Sequence, residues 1–325
     1  MDYIHLGKSS LKVSRIALGC MGIGSAKWRS WVVGEDEGRK IITRAIEQGI
    51  NTFDSCDFYS GGESERILGK VLKETSRRED VVIATKVGFA ILPGPNGRGY
   101  SRKHIIEACE GSLKRLGVEY IDLYQTHIWD PATNLEEMVE AFDHLVRAGK
   151  VLYVGATDLP CWTLSRAVYI ARLRGLTSFS TLQHHYNAVW REDERDALPF
   201  CEAEGMGVLP YSPMARGFLT GRKGHAEKST ERFRTDDLID KWYGRPEDAK
   251  VLDAIEAIAK EMSVTPGAVA LQWVLAKLPK SCPVVGVTRT DEVNDAIKAL
   301  EKPLGADAVA RIDAAYGLRP YVPHG

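Results

Sequence analysis

Four side chains with complementary acid–base properties stand near the ends of three β-like runs: Asp54, Tyr59, Lys86 and His127. A phenol has an ordinary pKa of about 10, too high for easy proton donation near neutrality. An adjacent ammonium stabilises phenolate and lowers that value, which is a role for Lys86. Asp54 can keep Lys86 charged and oriented in a partly desolvated site. The His127 imidazole can hydrogen-bond and orient a substrate oxygen. Taken singly, each has a structural explanation: an Asx turn or helix cap for the aspartate, a solvent-seeking lysine, a satisfied structural histidine. Taken together they surround one opening. The set contains no obvious nucleophile and no metal-ligand spacing. A proton donor without either suits carbonyl reduction, with the hydride supplied by a cofactor.

Positioning these groups requires elements that end at a common rim. A short β-rich run followed by an amphipathic stretch recurs along the chain. Strands are expected at 15–18, 51–54, 81–86, 121–127, 151–157, 181–186, 207–212 and 284–287. Helices are expected at 36–48, 64–73, 102–116, 134–148, 161–173, 193–204, 246–262, 266–277 and 291–300, several stopped by glycine. Eight strand–helix units in one series predict a single α/β domain over 1–325, a parallel (β/α)8 TIM barrel. Residues 3–6 and 11–13 read as an N-terminal β-hairpin outside it. A C-terminal tail is expected from about 303 to 325. In this fold chemistry sits where strands run into the loops preceding helices. Asp54, Lys86 and His127 end three successive strands there, and Tyr59 lies five residues beyond Asp54.

The run Asn51-Thr52-Phe53-Asp54-Ser55-Cys56-Asp57-Phe58-Tyr59, followed by Gly62-Glu63-Ser64-Glu65, resembles the signature of the aldo-keto reductases. The resemblance extends from the hairpin to the last helix. It implies a catalytic tetrad at Asp54, Tyr59, Lys86 and His127. It also implies NADPH, less often NADH, bound across the barrel mouth without a Rossmann domain. Consistent with that, Gly19-Cys20-Met21-Gly22-Ile23-Gly24 does not match G-x-G-x-x-G, and by resemblance Met21 falls near the nicotinamide ribose.

The family grips the carboxamide through positions matching Thr157, Asp158 and Gln183. Asp158 departs from the family's asparagine, because an ionised carboxylate only accepts hydrogen bonds. Tyr211 would stack on the nicotinamide. Ser212, Pro213 and Met214, with Gly217 and Arg222, resemble the segment that wraps the pyrophosphate. Gly286, Thr288 and Arg289 resemble the 2′-phosphate site, the guanidinium fork suiting phosphate oxygens and favouring NADP. Glu292 stands where many members have Gln or His, and bonding a ribose hydroxyl from there would admit NAD.

Trp28, Trp31, Phe58, Phe89 and Trp129 fall on loops at the same rim and are candidates to wall an apolar or ring-shaped substrate. The segments 88–100 and 213–245 read as specificity or lid elements. The tail at 321–325 is a further candidate to reach the rim. The substrate class is a small carbonyl or alcohol.

With 43 basic and 44 acidic residues the net charge is −1, which offers no field for nucleic acid or an anionic membrane. The six cysteines are scattered without a C-x-x-C pair, so a reduced, cytoplasmic setting is expected. No signal peptide or membrane span is expected, and oligomeric state is not readable. Two other functions compete: a cofactor-binding regulatory subunit with little turnover, as potassium-channel β subunits resemble, and a lyase using Lys86 as a Schiff-base amine.

Overall fold

The computed structural model describes residues 1–91, 93–221 and 231–319. Strands β1 (Tyr3–His5) and β2 (Lys12–Ser14) pair antiparallel as the hairpin. Eight parallel strands then close a barrel: β3 (Ala17–Gly19), β4 (Thr52–Asp54), β5 (Val82–Val87), β6 (Ile121–Thr126), β7 (Val151–Thr157), β8 (Phe179–His185), β9 (Gly207–Tyr211) and β10 (Val284–Gly286). The circle is sealed by β10 against β3, with Val284 opposite Ala17.

Strand residues alternate between the barrel interior and the helical shell. Ala17, Val82, Ala84, Leu123, Leu209 and Val284 form an apolar interior layer, closed from below by Leu6 and Val13 of the hairpin. Gly7 makes that closure possible. It has φ +60°, and a Cβ there would lie 2.3 Å from the Gly207 nitrogen. On β5 the parity of Val82 and Ala84 continues to Lys86, and on β6 that of Leu123 continues to Gln125. The apolar layer therefore places the polar layer above it. The outward set, including Phe53, Ile83 and Tyr124, packs into the shell core with Ile41, Leu68 and Phe142.

Helices α1 (Glu35–Glu47), α2 (Glu63–Thr75), α3 (Arg102–Leu116), α4 (Leu135–Arg147), α5 (Cys161–Leu173) and α6 (Ala197–Glu204) follow successive strands. Their ends have local causes. The Ser101 side chain accepts from the His104 amide at the start of α3, and Gly117 in a left-handed conformation ends it. Between β9 and β10 lie α7 (Glu231–Thr235), α8 (Leu238–Trp242), α9 (Pro246–Met262) and α10 (Pro266–Lys277). Helix α11 (Thr290–Ala299) closes the last unit.

The expected tail requires correction. Residues Ala306–Ala315 form a helix, α12, with Ile312 fully buried. Asp313 docks it by accepting from Trp273 Nε1 at 3.0 Å, Lys277 Nζ at 3.0 Å and Arg191 Nη1 at 2.8 Å. Its apolar stripe is mostly alanine, which gives little hydrophobic contrast along the sequence. Residues 321–325 lie outside the described residues. No helix among the described residues is long and apolar enough to cross a membrane.

Candidate active site

Lys86 is fully buried, and its Nζ donates to Asp54 Oδ2 at 2.5 Å and to the Ser55 carbonyl at 2.8 Å. The other Asp54 oxygen accepts from Gln183 Nε2 at 2.8 Å and Gln125 Nε2 at 3.2 Å. Asp54 thus has donors on both oxygens, as a buried carboxylate needs. Burial opposes the charge on Lys86, but Asp54, with Tyr59 and Cys56 adding to it, outweighs burial and raises the lysine above its ordinary value. A charged ammonium is a poor Schiff-base nucleophile.

Tyr59 stands over this ammonium, with Lys86 Nζ 5.2 Å from the ring centre. Lys86 lowers the phenol pKa as expected, but it is not the larger influence. Burial raises it by more than Lys86 lowers it, so the phenol keeps its proton. His127 meets the Tyr59 ring edge-on at 5.7 Å and Phe89 at 4.6 Å. Burial, and secondarily Lys86, hold the imidazole well below its ordinary pKa, so it is neutral. Its backbone is pinned by Tyr100, whose hydroxyl accepts from the amides of His127 and Ile128 at 3.0 Å each and donates to the Ile128 carbonyl at 2.5 Å.

These groups open into a cavity of about 360 Å³ at the carboxyl ends of the strands. It brings together Met21, Trp28, Asp54, Phe58, Tyr59, Phe89, His127, Thr157, Asp158, Gln183, Tyr211, Ser212, Pro213, Met214, Gly217 and Gly286. Phe58 stacks on Phe89 at 4.8 Å, and Trp28 meets Phe58 edge-on at 5.7 Å. An aromatic wall therefore rises beside Tyr59 and His127. Trp31 and Trp129 are not part of the lining. Trp31 is buried beneath Arg232, whose guanidinium lies 4.4 Å from its ring, and Trp129 turns to Trp162 at 5.7 Å. Rim loops have two faces, and these two rings take the one that packs.

The opposite wall is formed by Thr157, Asp158, Gln183 and Tyr211. Thr157 Oγ1 is buried without a partner among the described residues. Asp158 Oδ2 accepts from the Tyr211 hydroxyl at 3.1 Å, and burial, partly offset by His184, raises its carboxyl to about 6. Gln183 uses its amide nitrogen on Asp54, which leaves its carbonyl oxygen to the cavity. Tyr211 is backed by His185, with rings 5.2 Å apart and 9° from parallel, and His185 stacks in turn on Trp190 at 4.5 Å. Five non-glycine residues with positive φ occur around this rim: Ser60, Asp158, Ser212, Ala215 and Arg216. Such strained backbone clusters where surrounding structure fixes it for a ligand.

Thr288, Arg289 and Glu292 lie beyond the cavity lining, past the end of β10. Arg289 Nε donates to Asp291 at 3.0 Å, and its Nη2 is 3.4 Å from Glu292. Glu292 Oε2 accepts from the Thr288 amide at 2.7 Å and caps α11. The carboxylate expected to face a ribose therefore serves its own helix. Arg222 lies outside the described residues.

An arginine cluster at the cavity mouth escaped the sequence reading. Arg29, Arg216 and Arg232 all line it and share Asp236, at 3.9, 3.1 and 3.2 Å. Burial and Arg216 lower Arg232 to about 10, which leaves it charged near neutrality. Three cations around one carboxylate make a locally positive mouth, suited to phosphate oxygens. The residues come from segments far apart in sequence, so no spacing signalled them. His184 was missed too. Its Nδ1 is 2.7 Å from Asp193 and its Nε2 3.2 Å from the Leu159 carbonyl, which braces the loop carrying Asp158. Trp242 adds an aromatic face at the mouth, with Arg216 5.1 Å from its ring.

The sequence pattern of the Aldo/keto reductase family matches residues 15–317. The chain belongs to this family. Among its relatives, a versiconal hemiacetal acetate reductase of Aspergillus parasiticus is 35% identical, the match covering 99% of this chain and 98% of that one. A putative aryl-alcohol dehydrogenase of Saccharomyces cerevisiae is 36% identical over 96% of each chain. A norsolorinic acid reductase of Aspergillus flavus is 32% identical over 94% of this chain and 79% of its own. Membership makes this chain an oxidoreductase, of a family that acts on small carbonyl compounds and generally uses nicotinamide cofactors.

Proposed function

We propose that the protein reduces an aldehyde or ketone to an alcohol, reversibly, with Tyr59 as proton donor and NADPH as the preferred cofactor. The observation that carries this reading is the Tyr59 ring set between Lys86, whose Nζ is 5.2 Å from its centre, and His127, edge-on at 5.7 Å, in an aromatic-walled cavity. The carbonyl oxygen is received between Tyr59 and His127. Tyr59 releases its proton to that oxygen as negative charge develops there, and Lys86 stabilises the resulting phenolate. Asp54 holds Lys86 charged and in place throughout. The nicotinamide supplies the hydride when bound.

Thr157, Asp158 and Gln183 would hold the carboxamide, and Tyr211 the ring face. Arg29, Arg216 and Arg232, with the Ser212–Met214 segment and Gly217, would hold the diphosphate. Arg289, turned from Asp291, would meet a 2′-phosphate. The name of the relative that refers to aryl alcohol agrees with the wall of Trp28, Phe58 and Phe89. Aryl carbonyls are therefore the substrate class proposed here.

A panel of aryl aldehydes, cyclic ketones and ketosugars assayed with NADPH and NADH tests the reading. Oxidation of NADPH matched by alcohol formation, fastest with the aryl carbonyls, is expected. Cofactor binding with no turnover on any member would instead fit a binding subunit.

A further inference from the structure

We propose that Cys56 is a positioning residue for His127: its thiol donates to Nδ1 and fixes the tautomer whose Nε2–H faces the substrate oxygen. Cys56 Sγ lies 2.9 Å from His127 Nδ1, and the cysteine is fully buried. This rests on the carbonyl-reduction reading above, in which His127 must donate because a carbonyl oxygen can only accept.

The direction of the bond follows from what surrounds the sulfur. The Phe58 amide already donates to Sγ at 3.3 Å, so the acceptor side of a weakly accepting atom is in use. The thiol proton has three acceptors in reach: His127 Nδ1 at 2.9 Å, Asp57 Oδ1 at 3.3 Å and the Lys86 carbonyl at 3.8 Å. The imidazole nitrogen is the nearest. Burial, followed by the charge of Asp57, raises the thiol well above its ordinary pKa, so its proton is present. The imidazole is neutral, so one nitrogen is free to accept. With Nδ1 accepting, the proton of His127 sits on Nε2. That nitrogen has no hydrogen-bond partner among the described residues, and His127 lines the cavity. The hydrogen bond made by one ring nitrogen thus sets what the other offers, as outer partners do for metal-bound histidines.

The test is magnetic resonance of the full chain with isotope-labelled histidine, the His127 signals being assigned by their loss in His127→Asn. The expected pattern is a neutral imidazole protonated at Nε2. In Cys56→Ala the two tautomers should mix, and kcat should fall about tenfold with cofactor Kd unchanged. Cys56→Ser, which restores a donor, should recover the single tautomer and most of kcat. A wild-type imidazole protonated at Nδ1 would overturn the proposal, whether or not the variants fold. So would an unchanged tautomer in Cys56→Ala. Because the tautomer is read without turnover, failure here is distinguishable from failure of Tyr59 as proton donor.

Discussion

Lys86 and Asp54 form an ion pair of 2.5 Å at the top of the barrel interior, with side chains 0% and 3% exposed. Such a pair is strong only while both members are present. Removing one strands the other's charge in a low-dielectric site, at a cost of about 3–5 kcal/mol. Asp54→Leu is therefore expected to lower the unfolding free energy by about that amount, measured by denaturant titration, whereas Asp54→Leu combined with Lys86→Met should regain much of it. A double variant no more stable than the single would show that the pair is not the source of the loss.

Asp158, with a carboxyl raised to about 6, is expected to make cofactor preference pH-dependent. Above that pH the carboxylate attracts the positive charge of an oxidised nicotinamide, and below it the neutral acid does not. Affinity for the oxidised cofactor, relative to the reduced one, should rise as pH increases through about 6. Fluorescence titrations at a series of pH values would show this slope in the wild type and its absence in Asp158→Asn.

His184 titrates at about 9: burial opposes its charge, but the nearby carboxylate of Asp193 outweighs that effect. The folded-state pKa is raised above the ordinary 6.5. The stability it contributes is fully present below that value and is lost as pH rises toward 9. Melting curves should show a fall in Tm between these limits that Asp193→Asn removes. An identical pH slope in the variant would separate His184 from the effect.

The arginine cluster gives a prediction about charge. Arg216→Ala and Arg232→Ala should each weaken NADPH and NADH alike, by about tenfold or more, since the diphosphate is common to both. Arg289→Ala should weaken NADPH selectively. Isothermal titration with both cofactors distinguishes them, and an equal effect of Arg289→Ala on the two would remove it from the 2′-phosphate.

Much of the fold was legible because the barrel repeats one pattern. Each apolar run of alternating faces, followed by a 3.6-residue stripe, could be placed by its period. The ends of β4, β5 and β6 then brought Asp54, Lys86 and His127 to one rim. Helix α12 was not legible, because its alanine-rich stripe carries little contrast and its anchors, Trp273, Lys277 and Arg191, are distant in sequence. Contacts set by closure were equally hidden. Arg29, Arg216 and Arg232 meet only because β10 pairs with β3. Trp31 and Trp129 had the right loops, but loop position alone does not decide which way a ring turns. The sign of the Tyr59 shift depended on how deeply the phenol is buried, which no spacing reports.

Tyr59→Phe tests the proton-donor role most directly, because it deletes one oxygen and leaves the ring that packs against Trp28 and His127. Parallel measurement of NADPH binding by fluorescence and of aryl-aldehyde reduction is the decisive experiment. Binding should be retained within a few-fold while kcat falls by about 10²–10⁴. Retention of full carbonyl-reducing activity by Tyr59→Phe would contradict the assignment of the proton donor.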